Sequence, residues 1–255
     1  VNIGATAIGT SINVSSEYLY NIENNLKKVT GLDIRQASDL IDATQNLDGF
    51  VSVSGILKTC AVDLSKIAND LRLLSSGPKT GIGEISLPAM QNGSSIMPGK
   101  INPVIPEVVS QVAFNIIGND FTITMAAESG QLELNAFEPV LFYNLFESIE
   151  TLTNAVMTFV DNCVSGITAN EDRCKELLEI SVGITTALCP YIGYKESSHI
   201  AKTALKTGKT VKEIVLEEEL LTKDQIEEIL DPVSMTQVKI SSAEKAITVE
   251  EKYAI

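Results

Sequence analysis

Residues 50–74 read FVSVSGILKTCAVDLSKIANDLRLL, and this stretch sets the fold class. Its apolar side chains recur every three or four positions: Val53, Ile56, Leu57, Cys60, Ala61, Leu64, Ile67, Ala68, Leu71 and Leu74. That period predicts one long amphipathic helix. The run stops at Ser75-Ser76-Gly77-Pro78, because Gly and Pro both terminate helices.

Further helices are predicted on both sides of this one. Glu17 to Val29 has a helical apolar pattern, and Gly31 follows as a C-terminal stop. Pro106 and Glu107 are expected to open another helix, since Pro suits the first helical position and an acid complements the dipole. A longer helix is predicted from about Pro139 to Cys163. Its apolar residues spread wider than one stripe, which indicates burial on more than one side within a helical bundle.

The chain is predicted to consist of three parts: a central helical domain at 1–164, a small helical domain at 165–235 and a polar tail at 236–255. Gly166 marks the first boundary, after which the elements shorten. The second part carries several helix start and stop signals: Asn170, Pro190, Gly193, Thr210 with Glu213, Thr222 with Gln225, and Asp231-Pro232. The tail is charged and shows no packing pattern. An all-α fold follows from these patterns.

Composition excludes several classes of function. The formal net charge is −14, and no basic stripe is visible, so neither nucleic acid nor an anionic membrane surface is an expected partner. No uncharged apolar run reaches the 18 residues of a membrane span, and no signal peptide is visible. The four cysteines lack zinc-ligand spacing, so no metal is expected. Reduced thiols in a cytoplasmic protein are the favoured interpretation.

About thirty residues rich in Gly, Pro and Ser, from Ser75 to Pro106, connect two helices. A connection of this length is usually functional or disordered. Within it, Ser94, Ser95, Lys100 and Asn102 offer hydroxyls, a cation and an amide to a small anion. The remaining loop residues expected at this site are Gly93, Ile96, Met97, Pro98 and Gly99. Taken alone, the same residues also fit a solvated turn before a capped helix.

The stretch Gly-Ser-Ser-Ile-Met-Pro-Gly-Lys-Ile-Asn-Pro at 93–103 resembles the signature loop of the fumarase/aspartase superfamily. The likeness extends over nearly the whole chain, through residues 1–10, 71–78, 117–119 and 165–235. Residues 104–111 and 126–140 resemble the aspartase branch more than the fumarase branch. The resemblance implies long antiparallel helices that assemble into the core of a homotetramer. It also implies reversible removal of ammonia from L-aspartate, a dicarboxylate, to give fumarate.

The resemblance also assigns roles to individual residues. Ser94 would be the general base, and Ser95 would contact the substrate. Lys100 would hold a substrate carboxylate, and Asn102 would hydrogen-bond nearby. Glu107 would orient a histidine from another segment. Since ammonium is a good leaving group, the chemistry implies no cofactor and no metal.

Two superfamily segments, Ser-Thr-x-Asn and Thr-His, are absent from this sequence. The one histidine, His199, lies in the small domain and is expected to be a surface or packing residue. The sequence begins at Val1 and resembles the interior of a longer protein. We therefore expect a fragment that is a poor catalyst by itself. Two alternatives stay open: a fumarate hydratase, or a helical oligomerisation core without catalysis.

Overall fold

The computed structural model describes residues 1–91, 93, 96–97, 99 and 101–237, and it confirms the all-α prediction. The α-helices of the described residues are α1 Ser16–Thr30, α2 Asp42–Gln45, α3 Asp48–Leu74, α4 Val104–Glu128, α5 Glu138–Asn162, α6 Glu171–Ile180, α7 Cys189–Thr207, α8 Val211–Glu217, α9 Lys223–Ile229 and α10 Pro232–Thr236. Short 3₁₀ segments occupy Val164–Gly166 and Val182–Leu188. The strands β1 Ile85–Ser86 and β2 Thr168–Ala169 have two residues each.

The chain divides into two compact units, of which the first is Val1–Thr168 and the second begins at Ala169. Whether the predicted parts at 1–164 and 165–235 are separate functional domains stays a prediction. Most of the predicted tail lies outside the described residues, which end at residue 237.

The long helices α3, α4 and α5 form the core of the first unit. Three apolar clusters follow one another along them: Leu47, Ile123, Ala126, Leu141 and Leu145; then Ala61, Ala113, Ile116 and Leu152; then Ala68, Val109, Phe159 and Cys163. Numbers rise along α3 and α5 as they fall along α4. Helix α4 therefore runs antiparallel to both neighbours, and the end of α3 lies beside the start of α4.

A polar layer separates the first two apolar clusters. Ser54 of α3 donates a hydrogen bond to Oδ1 of Asp120 at 2.7 Å, and Lys58 Nζ lies 2.5 Å from Oδ2. On the other side, Asn119 Nδ2 donates to Glu147 Oε2 at 3.0 Å and to Ser148 Oγ at 3.1 Å. Buried polar groups need such partners, because an unsatisfied one retains the cost of leaving water.

Helix α4 begins at Val104, two residues before the predicted start, so the placement of Pro106 at the first helical position is wrong. Pro106 occupies the third position and is buried. The structure tolerates it there because the first backbone N–H groups of a helix have no intrahelical acceptor, so a missing N–H costs nothing.

The predicted ends of α1, α3 and α5 agree with the structure to within two residues. Helix α1 starts after Ser15, whose side chain accepts a hydrogen bond from the Tyr18 N–H at 3.2 Å. It ends at Gly31, whose φ of 71° lies in the left-handed region that favours glycine. The helix stop predicted at Gly31 is thus confirmed.

Part of the bundle surface is apolar. Phe114 and Phe121 on α4 are 64% and 69% exposed, and Tyr143 and Phe146 on α5 are 67% and 63% exposed. These residues share their helices with the buried clusters. The outer face of α5 is thus exposed in this chain, and its predicted burial on more than one side stays a prediction.

The second unit has its own core, drawn from the 3₁₀ segment Val182–Leu188 and helices α7, α8 and α9. Its buried members include Leu188, Ile200, Val211, Ile214 and Val215. The predicted interruption at Gly193 is confirmed, because this residue has φ 81° and ψ 161° inside α7. Helix α9 ends at Ile229, just before the stop signal Asp231-Pro232, but the expectation that it is the last helix is wrong. Asp231 caps the further helix α10, accepting from the Ser234 N–H at 2.8 Å.

Both predicted capping boxes are present. At α8, the Thr210 N–H donates to Glu213 Oε2 at 2.7 Å, and the Glu213 N–H donates back to Thr210 Oγ1 at 3.3 Å. At α9, Thr222 and Gln225 exchange the equivalent bonds at 2.9 and 3.3 Å. The two boxes differ chemically, since a carboxylate titrates and an amide does not.

This difference predicts a pH effect on stability. The hydrogen bonds from Thr210 hold the pKa of Glu213 below its usual value of 4.5. A carboxyl with a lowered pKa stabilises the fold above its unfolded pKa, and that contribution is lost as pH falls through the folded pKa. We expect Glu213→Gln to preserve stability near pH 7 and to weaken the acid-induced loss of stability, measured by urea unfolding between about pH 3 and pH 7.

The matched control is Gln225→Glu, which places an ionisable group in the second box. It should add pH dependence of the same sign as the wild-type Glu213. Parallel pH–stability curves for the wild type and Glu213→Gln would contradict the prediction.

Among the described residues, no single helix is both long and apolar enough to cross a membrane. In the same described ranges, one bent pair, Glu171–Ile180 with Val182–Thr207, passes by length and composition taken together.

Candidate active site

The predicted site begins in the loop at 93–103 and continues into the first turn of α4. Ser94, Ser95, Pro98 and Lys100 lie outside the described residues, so their predicted roles stay predictions. The described loop residues Gly93, Ile96, Met97 and Gly99 are all exposed. Gly99 has φ 80°, a left-handed conformation that other residues rarely adopt.

The loop is joined directly to α4. Asn102 is half-buried, and its carbonyl accepts a hydrogen bond from the Val104 N–H at 2.9 Å. Pro103 is the residue before the helix, and its carbonyl accepts from the Glu107 N–H at 3.2 Å. The structure therefore brings Asn102 and Glu107 together at the N-terminal end of α4, where the helix dipole favours negative charge.

Glu107 lies in the first turn of α4 with its side chain 41% exposed. Its carboxylate Oε1 lies 3.9 Å from Nη2 of Arg72, and its backbone carbonyl accepts from Gln111 Nε2 at 3.3 Å. A half-exposed carboxylate next to a guanidinium can accept a hydrogen bond from an imidazole, which is the role predicted for Glu107.

Sequence reasoning missed Arg72. This residue stands in the last turn of α3, and Glu107 stands in the first turn of α4. A base at the end of one helix and an acid at the start of an antiparallel neighbour is a signal that was present in the sequence. The pairing of Arg72 with Glu107 could be inferred only once the two helices were known to pack side by side.

A groove of about 320 Å³ lies on α4 and α5, beginning at the residue after Glu107. It is lined by Val108, Gln111, Val112, Asn115 and Thr151. Of the predicted site residues that the structure describes, none lines the groove, although Gln111 donates a hydrogen bond to the Glu107 carbonyl.

His199 and Cys163, two other potentially reactive side chains, lie in surroundings that do not favour catalysis. His199 has a side chain 56% exposed, and its Nε2 lies 3.1 Å from Glu218 Oε1 in the second unit, which agrees with the predicted surface position. Cys163 is buried, and burial raises the pKa of its thiol, so the nucleophilic thiolate is disfavoured. In the described part of the chain, no three His, Cys, Asp or Glu side chains are grouped so as to hold a metal ion.

Two family models match the sequence. One, described as lyase, matches residues 1–118, and the other, described as fumarase C C-terminus, matches residues 184–237. An aspartate ammonia-lyase of Bacillus sp is 51% identical over 94% of this chain and 52% of its own length. The aspartate ammonia-lyase of Escherichia coli strain K12 is 52% identical over 90% of this chain and 48% of its own length. The chain thus spans about half the length of the curated relatives it matches.

Solved structures give the same picture of the fold. A fumarate lyase:delta crystallin from Brucella melitensis, bound to cobalt, superposes with a TM-score of 0.88 at 50% identity. That match covers 93% of this chain and 51% of the other. A class II fumarase from Schistosoma mansoni superposes with a TM-score of 0.85 at 35% identity, covering 92% and 52% of the two chains.

Proposed function

The chain belongs to the fumarase/aspartase superfamily, and from that membership we propose that it forms about half of an aspartate ammonia-lyase. The full-length protein, meaning this chain with the further length of its relatives, would convert L-aspartate reversibly to fumarate and ammonia. The observation that carries the proposal is the 51% identity to an aspartate ammonia-lyase over 94% of the chain. The sequence at 93–103, which resembles the signature loop of the superfamily, also supports it.

In the proposed reaction, a deprotonated Ser94 takes the proton from the carbon beside the β-carboxylate of aspartate. The electron pair left behind forms an enediolate on that carboxylate. The carbon–nitrogen bond then breaks, and the same electrons form the double bond of fumarate as ammonia leaves. Negative charge builds up as the enediolate forms, so donors that are in place beforehand lower the barrier of this step.

The remaining predicted residues would supply those donors. Lys100 would pair with a substrate carboxylate as a compact cation. Ser95 and Asn102 would hydrogen-bond to the substrate, close to the N-terminal end of α4, whose partial positive charge favours a dicarboxylate. Glu107 would orient a histidine supplied by another segment. No organic cofactor or metal takes part in the proposed steps, because ammonium leaves readily and the donors carry the charge.

The test compares two substrates on the full-length protein. With L-aspartate, fumarate formation is followed by its ultraviolet absorbance and ammonia by a coupled assay. With L-malate, fumarate formation would indicate a hydratase. Turnover of aspartate and not of malate supports the proposal, whereas turnover of malate alone establishes the alternative fumarate hydratase.

A second candidate is a helical oligomerisation core, and the exposed aromatic residues on α4 and α5 favour it for this chain. An apolar patch of this kind on a surface commonly marks a protein interface. We propose a homotetramer in the cytoplasm, assembled through this face. Light scattering and an ammonia-lyase assay on the 255-residue chain would separate assembly from catalysis.

Lys100→Ala is expected to weaken substrate binding in the full-length enzyme. A hydrogen bond between charged groups contributes about 1.5–3 kcal/mol, so KM for aspartate should rise roughly tenfold or more. Steady-state kinetics over a wide aspartate range would measure it, with Lys79→Ala, which removes a lysine outside the signature loop, as the control. Unchanged KM and kcat in Lys100→Ala would contradict the assigned role.

A further inference from the structure

Arg72 is held between two partners at the end of α3. Its Nη1 donates a hydrogen bond to Asn69 Oδ1 at 3.3 Å, one turn earlier on the same helix. Its Nη2 lies 3.9 Å from Glu107 Oε1 across the helix pair. The planar guanidinium can serve both because its N–H groups diverge in a fixed fork.

The pair is a weak candidate for a purely structural role. Both side chains are 41% exposed, and ion pairs exposed to that degree contribute little to folding. The first turn of α4 also favours an acidic residue at position 107 without a cation beside it. The contact is therefore better explained as a restraint on the orientation of the Glu107 carboxylate.

We propose that Arg72 is a positioning residue for the reaction and acts through Glu107. By pairing with Oε1 at 3.9 Å, Arg72 restrains the rotation of the carboxylate and leaves Oε2 for the histidine that Glu107 is proposed to orient. Asn69 in turn restrains the guanidinium through its hydrogen bond at 3.3 Å. This inference rests on the proposed function, since it assigns Arg72 to the same site.

The test is a double-mutant cycle on the full-length enzyme, using Arg72→Gln, Glu107→Gln and the pair together. The expected loss in kcat for Arg72→Gln is about fivefold, the scale of an exposed charge pair, with KM for aspartate changed less than about twofold. In the Glu107→Gln background, the same Arg72→Gln change should alter kcat by less than about 1.5-fold. Arg72→Lys keeps the charge and loses the fork, so its kcat should lie between those of the wild type and Arg72→Gln.

Two outcomes would overturn the inference. One is an equal loss in kcat for Arg72→Gln with and without the Glu107 carboxylate, which would make its effect independent of Glu107. The other is an unchanged kcat in Arg72→Gln. If Arg72→Gln does not fold, the same cycle with Arg72→Lys decides. A wild-type enzyme without aspartate turnover would refute the proposed function together with this inference, whereas an active enzyme with an additive cycle would refute the inference alone.

Discussion

Replacing Ser94 with alanine in the full-length protein is expected to lower kcat for aspartate deamination by at least about a hundredfold. A positioned base contributes roughly 10²–10⁴-fold to proton transfer, and alanine cannot accept the proton. Because the substrate still meets Lys100 and the other proposed donors, KM should change much less than kcat. Steady-state kinetics of fumarate formation would measure both constants.

Ser95→Ala is the matched control, because it removes a neighbouring hydroxyl from the same loop. Ser95 is proposed to contact the substrate through its hydroxyl or its amide, and the amide survives the substitution. We therefore expect a loss below about tenfold, on the scale of one hydrogen bond. Near-full turnover by Ser94→Ala, or a larger loss in Ser95→Ala than in Ser94→Ala, would remove Ser94 from the role of base.

The long helices were predictable because each one repeats a local pattern. The three-to-four-residue apolar period at 50–74 corresponds to α3 at Asp48–Leu74, and the pattern from Pro139 corresponds to α5 at Glu138–Asn162. The capping boxes at Thr210 and Thr222 were predictable for the same reason, since both partners lie within four residues. Interactions that close within one helical turn are visible in the sequence.

Short elements were harder to predict. Helix α2 has four residues and α10 has five, too few for an apolar period to show. Helix α10 also depends on Asp231, whose side chain caps it. In the sequence, the same Asp-Pro pair is equally typical of a helix end, and the choice between the two depends on packing against the rest of the second unit.

The polar layer could not be predicted, because it depends on the register of three helices. Asp120 sits inside the largely apolar stretch of α4, and its partners Ser54 and Lys58 come from α3, 66 and 62 residues away. Nothing local distinguishes this acid from a solvated one. The predicted site shows the same limit: Asn102 and Glu107 were identifiable from the loop, and Arg72 required knowledge of which helix packs beside α4.

Asp120→Ala is expected to lower the free energy of unfolding of the first unit by about 3 kcal/mol. Asp120 is 6% exposed and accepts hydrogen bonds from Ser54 and Lys58. Its removal leaves the buried Ser54 hydroxyl without this acceptor and leaves a small void, and each of these costs free energy. Lys58 is 43% exposed, so its ammonium can turn to water, which keeps the loss below that of a fully buried ion pair.

Two control variants, Asp120→Asn and Glu150→Ala, test which property of Asp120 stabilises the first unit. The asparagine keeps an oxygen for Ser54 and loses the charge, so a smaller loss, about 1–2 kcal/mol, is expected. Glu150 is an exposed acid on α5, and its replacement should change stability by less than about 0.5 kcal/mol.

Native-state hydrogen exchange at the α4 amides measures the first unit separately from the second. If Asp120→Ala were no less stable than Glu150→Ala, the polar layer would not hold these helices together. If Asp120→Asn lost as much as Asp120→Ala, the charge paired with Lys58 would be the larger contribution, rather than the oxygen that Ser54 uses.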